Sequence, residues 1–241
     1  MSFKNNTSSF IVLLILTQFS YSFSNGLDIS DTDPSSVRST LKPIISIIAV
    51  EQETPLPLLS FTEEPIVLIG CKFFSIASTN GLSTNIGFPT FWSGIAISPN
   101  FSLGGQIGIA KWKGDNINTT GFSFNVSSGE SDKKNIFSVS ISHLYGPDDF
   151  RLRNLNATIG RYYKFSKWNL SFAYTAHFVQ CKIHVTDNED QDQNYKKIEK
   201  MKINHLRSGI YRDITKNINL GLELDASTSI LMIAFSIIGY L

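Results

Sequence analysis

The sequence predicts an all-β fold, an antiparallel up-and-down transmembrane β-barrel of about ten strands (between 8 and 12). Three observations predict it. Apolar and polar residues alternate with period two from Pro65 onward, the polar phase carries few charges, and no apolar run long enough for a spanning helix follows the N-terminal region. A chain of this kind that crosses a bilayer must do so as a closed barrel, because every backbone polar group needs a partner in lipid.

The composition agrees with a protein whose outer surface does not face water. Hydrophobic residues make up 42% of the 241 residues and charged residues only 17%, below the roughly 25% of a typical soluble domain. Aromatic residues are plentiful, with 18 Phe, 8 Tyr and 3 Trp. The formal net charge of +1 leaves no basic excess, so nucleic acid is not an expected partner.

Residues 1–24 are predicted to be a cleaved signal peptide. Lys4 supplies the positive charge, residues 10–16 begin an apolar core, and residues 20–22 or 22–24 offer a small-x-small cleavage pattern. The apolar run is shorter than the roughly 20 residues of a spanning helix, so an uncleaved anchor is the less favoured alternative. The chain is therefore expected to be exported.

Two regions follow the signal peptide. Residues 25–64 are rich in Ser, Asp and Pro and are predicted to be a partly irregular periplasmic lead-in, whose apolar run 44–50 docks in or under the barrel. Residues 65–241 are predicted to form the barrel. Cys71 and Cys181 meet oxidising conditions after export, and whether they pair is left open.

Ten candidate strands account for the barrel, at about 66–77, 88–98, 101–113, 119–128, 135–145, 153–165, 168–185, 198–213, 217–226 and 230–241. The stretch 198–213 is the least regular, because charges fall on both phases. Tight turns at 98–100, 166–167 and 215–217 share one side, which is predicted to be periplasmic, and longer links face outward. The link 128–135 is longer than this rule predicts for its side.

The two phases predict which face meets lipid. In the most regular strands the only charged residues of the polar phase are Glu223 and Asp225. Small uncharged side chains suit a narrow lumen, and the Phe-, Leu- and Ile-rich phase suits lipid. In the last strand, the residues predicted to face lipid are Leu231, Ile233, Phe235 and Ile237. Those predicted to face the lumen are Met232, Ala234 and Ser236. The alternative is a soluble exported β-barrel or sandwich that binds an apolar ligand.

The C-terminal region resembles the small outer-membrane β-barrel proteins of the opacity-type and OmpX-like superfamily. The resemblance rests on the strand 230–241, whose apolar residues fall on one phase, and on Gly221-Leu222-Glu223-Leu224 after a Thr-Lys-Asn turn. It covers roughly residues 65–241. The sequence departs from the pattern in ending on Leu241, with Tyr240 one place early and Gly239 interrupting the apolar phase. The resemblance implies the cell outer membrane, contact with its lipid and insertion by the barrel-assembly machinery, and it carries over no functional residue.

No catalytic, cofactor-binding or metal-binding residue is predicted. Ser142 and His143 are adjacent in one strand and so point to opposite faces, and Glu223 and Asp225 are expected to pair with a lumenal Lys such as Lys164 as a structural plug. The acids of 187–192 beside His184 could form a protease-like rim site or bind Ca²⁺, but a solvated acidic loop is favoured. The predicted function is therefore non-enzymatic: envelope structure, surface contact or narrow small-solute passage, with the surface ligand unknown.

Overall fold

The computed structural model describes residues 37–54, 66–79, 82–86, 90–112, 115–146, 150–185, 195–228 and 230–241. The predicted signal peptide lies outside these ranges. Within them the chain forms α1 (Val37–Glu51), β1 (Ile66–Thr79), β2 (Leu82–Ile86), β3 (Thr90–Ser98), β4 (Phe101–Trp112), β5 (Asp115–Glu130), β6 (Lys133–Tyr145), β7 (Phe150–Phe165), β8 (Trp168–Val185), β9 (Tyr195–Thr215), β10 (Ile218–Ala226) and β11 (Leu231–Tyr240).

The strands form one closed antiparallel sheet. Consecutive strands pair from β3 to β11, and β1 closes the ring by pairing with both β3 and β11. The short strand β2 pairs with the second half of β1, while β3 pairs with its first half. These two strands share one position in the wall, so the barrel has ten strand positions. The all-β, antiparallel, roughly ten-stranded fold is confirmed, and β2 is an addition that the sequence analysis did not predict.

The connections distinguish the two ends of the barrel. Two-residue turns at 99–100, 131–132, 166–167 and 216–217 lie at one end, here called the turn end. Both chain ends of the barrel meet there, since the backbone N–H of Leu241 donates to the carbonyl of Val67 at 2.9 Å. The opposite end, called the loop end, is where β1, β4, β6, β8 and β10 end.

The prediction of a long link at 128–135 is wrong. β5 continues to Glu130 and β6 begins at Lys133, so the connection is a two-residue turn like its neighbours. The C-terminal end of β5 and the N-terminal end of β6 lie outside the apolar zone of the barrel. Their sequence is therefore polar, and the apolar alternation does not mark them as strand. Gly129 adopts a φ of 119°, which a residue with a side chain rarely takes.

The irregular stretch 198–213 belongs to the longest strand. β9 covers 21 residues, whereas a tilted strand needs only about 9–11 to cross the bilayer. Its charges fall on both phases for two separate reasons. Lys200 and Lys202 are exposed on the outer face near the loop end, whereas Arg207 points inward and is buried.

The outer surface of the barrel is apolar and the inner surface is mostly small and polar. Phe122 and Phe124 are 52% and 43% exposed, whereas Ser123 between them is 3% exposed. An apolar surface that encircles a closed barrel is stable in lipid and not in water. The chain is therefore a membrane barrel, and the soluble alternative is wrong. Other exposed apolar residues include Ile95, Ile107, Ile109, Phe137, Leu155, Ile159, Phe172, Phe178, Leu206 and Leu222.

The predicted faces of the last strand are confirmed. Leu231 and Ile233 are exposed on the outside, and Met232, Ala234 and Ser236 have no exposed surface in the lumen. The two cysteines are free thiols. Cys181 is buried in the lumen, whereas Cys71 is on the outward phase of β1, so they do not form a disulfide.

The apolar run 44–50 lies inside the barrel as part of α1. Residues 45–50 are fully buried and pack against barrel residues from the loop-end half of the lumen, namely Leu144, Phe150, Leu152, Val179, Cys181, Ile183, Met201, Ile203, Ile230 and Met232. The helix therefore fills the lumen near the loop end, whereas β1 begins at the turn end. No helix among the described residues is long and apolar enough to cross a membrane.

Replacing Phe235 with Arg should destabilise the barrel by about 2–4 kcal/mol, because the charge would face the hydrocarbon near the middle of β11. The measurement is urea-dependent folding into liposomes, followed by the shift in gel migration between folded and heated protein. Phe235→Leu is the control and should fold like the unmodified chain. Equal stability of Phe235→Arg and the unmodified chain would contradict the outward assignment.

Candidate functional site: a buried ionic cluster between the helix and the barrel wall

Six ionisable side chains meet in the middle of the lumen, where α1 ends. We call them the lumen cluster: Glu53, which follows α1; His177 of β8; His205 and Arg207 of β9; and Glu223 and Asp225 of β10. All are at least nine-tenths buried. The strand residues share the inward phase, and Asp225 stands directly across the ladder from Arg207. The period-two backbone thus brings five of the six together, and the chain after the helix adds Glu53.

The guanidinium of Arg207 joins the helix segment to the barrel wall. Its Nη2 lies 2.7 Å from Glu53 Oε2, and its Nη1 donates to the carbonyl oxygen of Thr54 at 3.0 Å. Its Nε donates to Asp225 Oδ1 at 2.8 Å. One side chain therefore binds both the plugging segment and the neighbouring strand, which the planar, multi-donor shape of arginine allows.

Two histidines complete the inner side of the cluster. Nε2 of His177 lies 2.5 Å from Glu53 Oε1, and Nε2 of His205 lies 3.1 Å from the same oxygen. The two rings stack with centroids 5.1 Å apart. On its other side, His177 Nδ1 is 3.1 Å from Asn154 Oδ1, and the Asn154 amide nitrogen donates to the carbonyl of Ala49.

The end of α1 also contacts other sides of the barrel. Ser142 of β6 donates to Gln52 Oε1 at 2.7 Å, and Thr175 of β8 donates to Glu53 Oε2 at 3.2 Å. Lys72 of β1 donates to the carbonyl oxygen of Glu51 at 3.4 Å. Strands on opposite sides of the ring therefore hold the same four-residue segment, so that segment is fixed in the centre of the lumen.

Tyr211 closes the lumen on the turn-end side of the cluster. Its hydroxyl donates to Glu223 Oε1 at 2.9 Å, and the side chain is fully buried. The ring lies over Gly209 and Gly221, where an added Cβ would overlap it. These two glycines make room for an aromatic ring flat against the wall, which explains their place among alternating larger residues.

The expected ion pair of Glu223 and Asp225 with Lys164 is wrong. Both acids do point into the lumen, but their cation is Arg207. Lys164 is exposed next to the turn at 166–167, so it lies at the barrel rim while the acids lie several residues deeper. A partner across a sheet is set by register, which the alternation of a single strand does not reveal.

The other candidates of the sequence analysis are not brought together. Ser142 points into the lumen, whereas His143 is on the outer face and stacks on Tyr145. His184 is partly buried near the loop end, and the acids of 187–192 lie outside the described residues. The sequence analysis missed Glu53, His177, His205 and Arg207. The inward phase of β8 and β9 could have indicated the last three, but no periodic signal marks Glu53.

Three members of the lumen cluster could hold a metal ion. Glu53, His177 and His205 each offer one ligand atom, and these atoms lie within 4.8 Å of one another. Imidazole nitrogen and carboxylate oxygen are ligands of zinc and related divalent ions.

Comparison with known proteins gives a similarity of fold. No family model matches the chain, and no curated protein matches it. Ail, the attachment invasion locus protein of Yersinia pestis, is 11% identical over 75% of this chain and 99% of its own, with a TM-score of 0.34. The outer membrane protease OmpT from Escherichia coli is 11% identical over 76% and 96%, with a TM-score of 0.43. The KdgM porin is 10% identical over 73% and 98%, with a TM-score of 0.38.

The closed antiparallel ring and its apolar outer surface are themselves the architecture of outer-membrane β-barrels. The fold and the outer-membrane location expected from the sequence are therefore confirmed, whereas the predicted absence of enzymatic activity stays a prediction.

Replacing Arg207 with Met should destabilise the barrel by about 3–5 kcal/mol, because it leaves buried carboxylates without their cation. The measurement is urea unfolding in detergent micelles, read from tryptophan fluorescence. Arg212→Met is the matched control on the same strand, because Arg212 is exposed over the ring of Trp168. Equal midpoints for the Arg207→Met and Arg212→Met variants would show that the ionic contacts do not hold the helix segment.

Proposed function

We propose that this outer-membrane β-barrel is non-enzymatic and closed to solutes, and that it serves in envelope structure and surface contact. The observation that carries the proposal is the burial of the inward-facing side chains. Even small polar residues of the wall are nearly inaccessible: Ser138 is 5% and Ser140 7% exposed. A water-filled pore would leave such residues exposed. Instead α1, the lumen cluster and Tyr211 occupy successive levels of the lumen.

The size of the barrel supports the same proposal. Barrels of about eight to ten strands enclose space that side chains can fill, whereas large aqueous channels belong to barrels of about 16 strands and more. Here the filling includes a segment of the same chain, bound by ion pairs as well as by apolar contacts. Envelope structure and surface contact need a stable barrel and need no open lumen.

A basic patch on the outside of the barrel supports a role at the membrane surface. Near the loop end, the outward phases of β7, β8 and β9 carry six exposed cations: Arg151, Arg153, Lys182, Lys196, Lys200 and Lys202. Arg153 and Lys200 both stand beside Gln180 in the sheet register. Among the described residues, the outward phase of this region contains no acidic side chain.

The patch borders the apolar surface directly. Lys202 lies over the ring of Phe178 at 5.8 Å, and a groove of about 500 Å³ joins Arg153 and Lys200 to Leu155 and Phe178. Cations immediately above an apolar surface match a lipid that has phosphate in its headgroup and hydrocarbon below it. We therefore assign outer-membrane lipid as the partner of this surface, with the loop end outside the cell and the turn end in the periplasm.

The barrel-assembly machinery is the second proposed partner. The last strand ends in an alternating apolar run and pairs with β1 to complete the ring. Nucleic acid is not a proposed partner, since the basic patch lies at the membrane surface and the net charge of the chain is +1.

The unmodified barrel should give no conductance steps in a planar lipid bilayer, because the lumen is filled. Replacing Ile48 with Asp should produce frequent steps, since a carboxylate cannot stay among the apolar residues that surround the helix. Lys42→Asp, which changes an exposed position of the same helix, is the matched control and should stay silent. Steady conductance of the unmodified protein would contradict the closed barrel and favour small-solute passage.

Replacing both Arg153 and Lys200 with Gln should weaken binding to phosphorylated lipid, because the headgroup loses two cations. The measurement compares how the folded barrel in detergent binds to immobilised phosphorylated outer-leaflet lipid and to the same lipid after its phosphates have been removed. We expect at least a fivefold loss for the double variant. The control replaces Lys133 and Lys164, exposed at the turn end, with Gln. Equal losses in both double variants would show a general charge effect and contradict the assigned surface.

A further inference from the structure

The lumen cluster has fewer positive charges than its carboxylates require. Glu53, Glu223 and Asp225 supply three negative charges, and Arg207 supplies one positive charge, so the cluster carries a formal charge of −2 with both histidines neutral. Lys72 lies 3.9 Å from Glu51 and is matched by that carboxylate. A buried charge of this size needs compensation. Either a divalent cation or two added protons on the histidines would provide it.

The hydrogen bonds of His177 orient its free nitrogen toward the centre of the cluster. The amide nitrogen of Asn154 donates to the carbonyl of Ala49, so Asn154 Oδ1 faces the histidine as an acceptor. His177 Nδ1 therefore carries a proton and donates it to Asn154. The remaining nitrogen, Nε2, presents a lone pair to Glu53 Oε1 and to the ring of His205 at 3.3 Å.

His205 has the same arrangement. Its Nε2 lies 3.3 Å from Asp225 Oδ1, which accepts a hydrogen bond from that nitrogen when it is protonated. Its Nδ1 lies 3.3 Å from His177 Nε2. A histidine that binds a metal through one nitrogen and donates to a carboxylate or carbonyl through the other is the usual arrangement of metal sites. His177 Nε2 and His205 Nδ1 face each other in this way, and Glu53 Oε1 lies beside both rings, 3.1 Å from His205 Nε2.

The separations suit a tetrahedral ion. With zinc–nitrogen distances of about 2.0–2.1 Å, two ligand atoms stand about 3.3 Å apart, which matches the distance between the two histidine nitrogens. The Glu53 oxygen at 2.5 Å from His177 Nε2 must move outward by less than about 1 Å to reach the same spacing. Glu53 follows the end of α1, and its backbone N–H donates to the carbonyl of Val50 at 3.1 Å, a bond that rotation of the side chain leaves intact. The other carboxylate oxygen, Glu53 Oε2, is the one that contacts Arg207 Nη2, at 2.7 Å.

We propose that Glu53, His177 and His205 bind a divalent transition-metal ion of the zinc type in the middle of the lumen. The ion joins the segment after α1 to β8 and β9. It supplies the two positive charges that the cluster lacks. Its coordination bonds add to the ion pairs of Arg207 in holding the segment after α1. This departs from the expectation that the chain has no metal-binding residue.

The test is metal binding by the full chain, which is stripped with a chelator while unfolded in urea and then folded in detergent in the presence of metal ions, because the filled lumen keeps ions from the folded barrel. Titration with Zn²⁺ should show one equivalent bound per barrel, and Co²⁺ should give the intense visible absorption of a tetrahedral site. Zn²⁺ should also raise the temperature at which the folded band is lost on a gel. His177→Ala and His205→Ala should each weaken Zn²⁺ binding at least tenfold.

His143→Ala is the matched control, since His143 is on the outer face, and it should bind like the unmodified chain. Folding of every variant is checked by its migration with and without heating. If the alanine variants fail to fold, Glu53→Gln and His205→Gln keep side-chain volume and should show the same loss. A folded, unmodified barrel that binds no Zn²⁺ would overturn the proposal and assign the missing positive charge to protonated histidines. Unchanged binding in the histidine variants would overturn it equally.

Discussion

Closure of the backbone ladder between β1 and β11 is the constraint on which the structure depends. Lipid offers no hydrogen-bond partner, so a sheet in a bilayer cannot leave an edge unpaired. Once the ring closes, each strand must place one phase in lipid and the other in a lumen of fixed width. The Phe- and Ile-rich outer surface and the Ser- and Asn-rich inner surface both follow from that requirement.

A narrow closed ring leaves a space that has to be filled. Small polar side chains fill the wall of β5 to β7, and Tyr211 fills the level below the lumen cluster. At the loop end the wall turns apolar, with residues such as Leu152 and Val179 facing inward, and α1 supplies the matching apolar surface. Arg207 and Glu53 meet where the apolar part ends. The position of the ionic cluster is thus set by where the helix stops.

The sequence predicts the features that depend on local period and misses those that depend on register. Alternation identifies the inward phase of Glu223 and Asp225, because successive side chains of a strand point to opposite faces. It cannot say that Arg207 is their partner, since that depends on how two strands align. The position of the plugging helix α1 is harder still to predict from the sequence. Residues 44–50 are an apolar run in the sequence, but its contacts come from strands that lie between about one hundred and two hundred residues further along the chain.

The unequal lengths of the strands give the barrel a strong side and a weak side. The ladder between β8 and β9 has 18 residue pairs, whereas those that join β3 to β1 and to β4 have seven and eight. Thermal opening of a sheet costs less where fewer pairs must separate, so exchange of backbone amide hydrogens should be fastest along β3. Opening of the wall is thus concentrated at β3, and the long strands β8 and β9, across the ring from it, form the rigid half of the barrel.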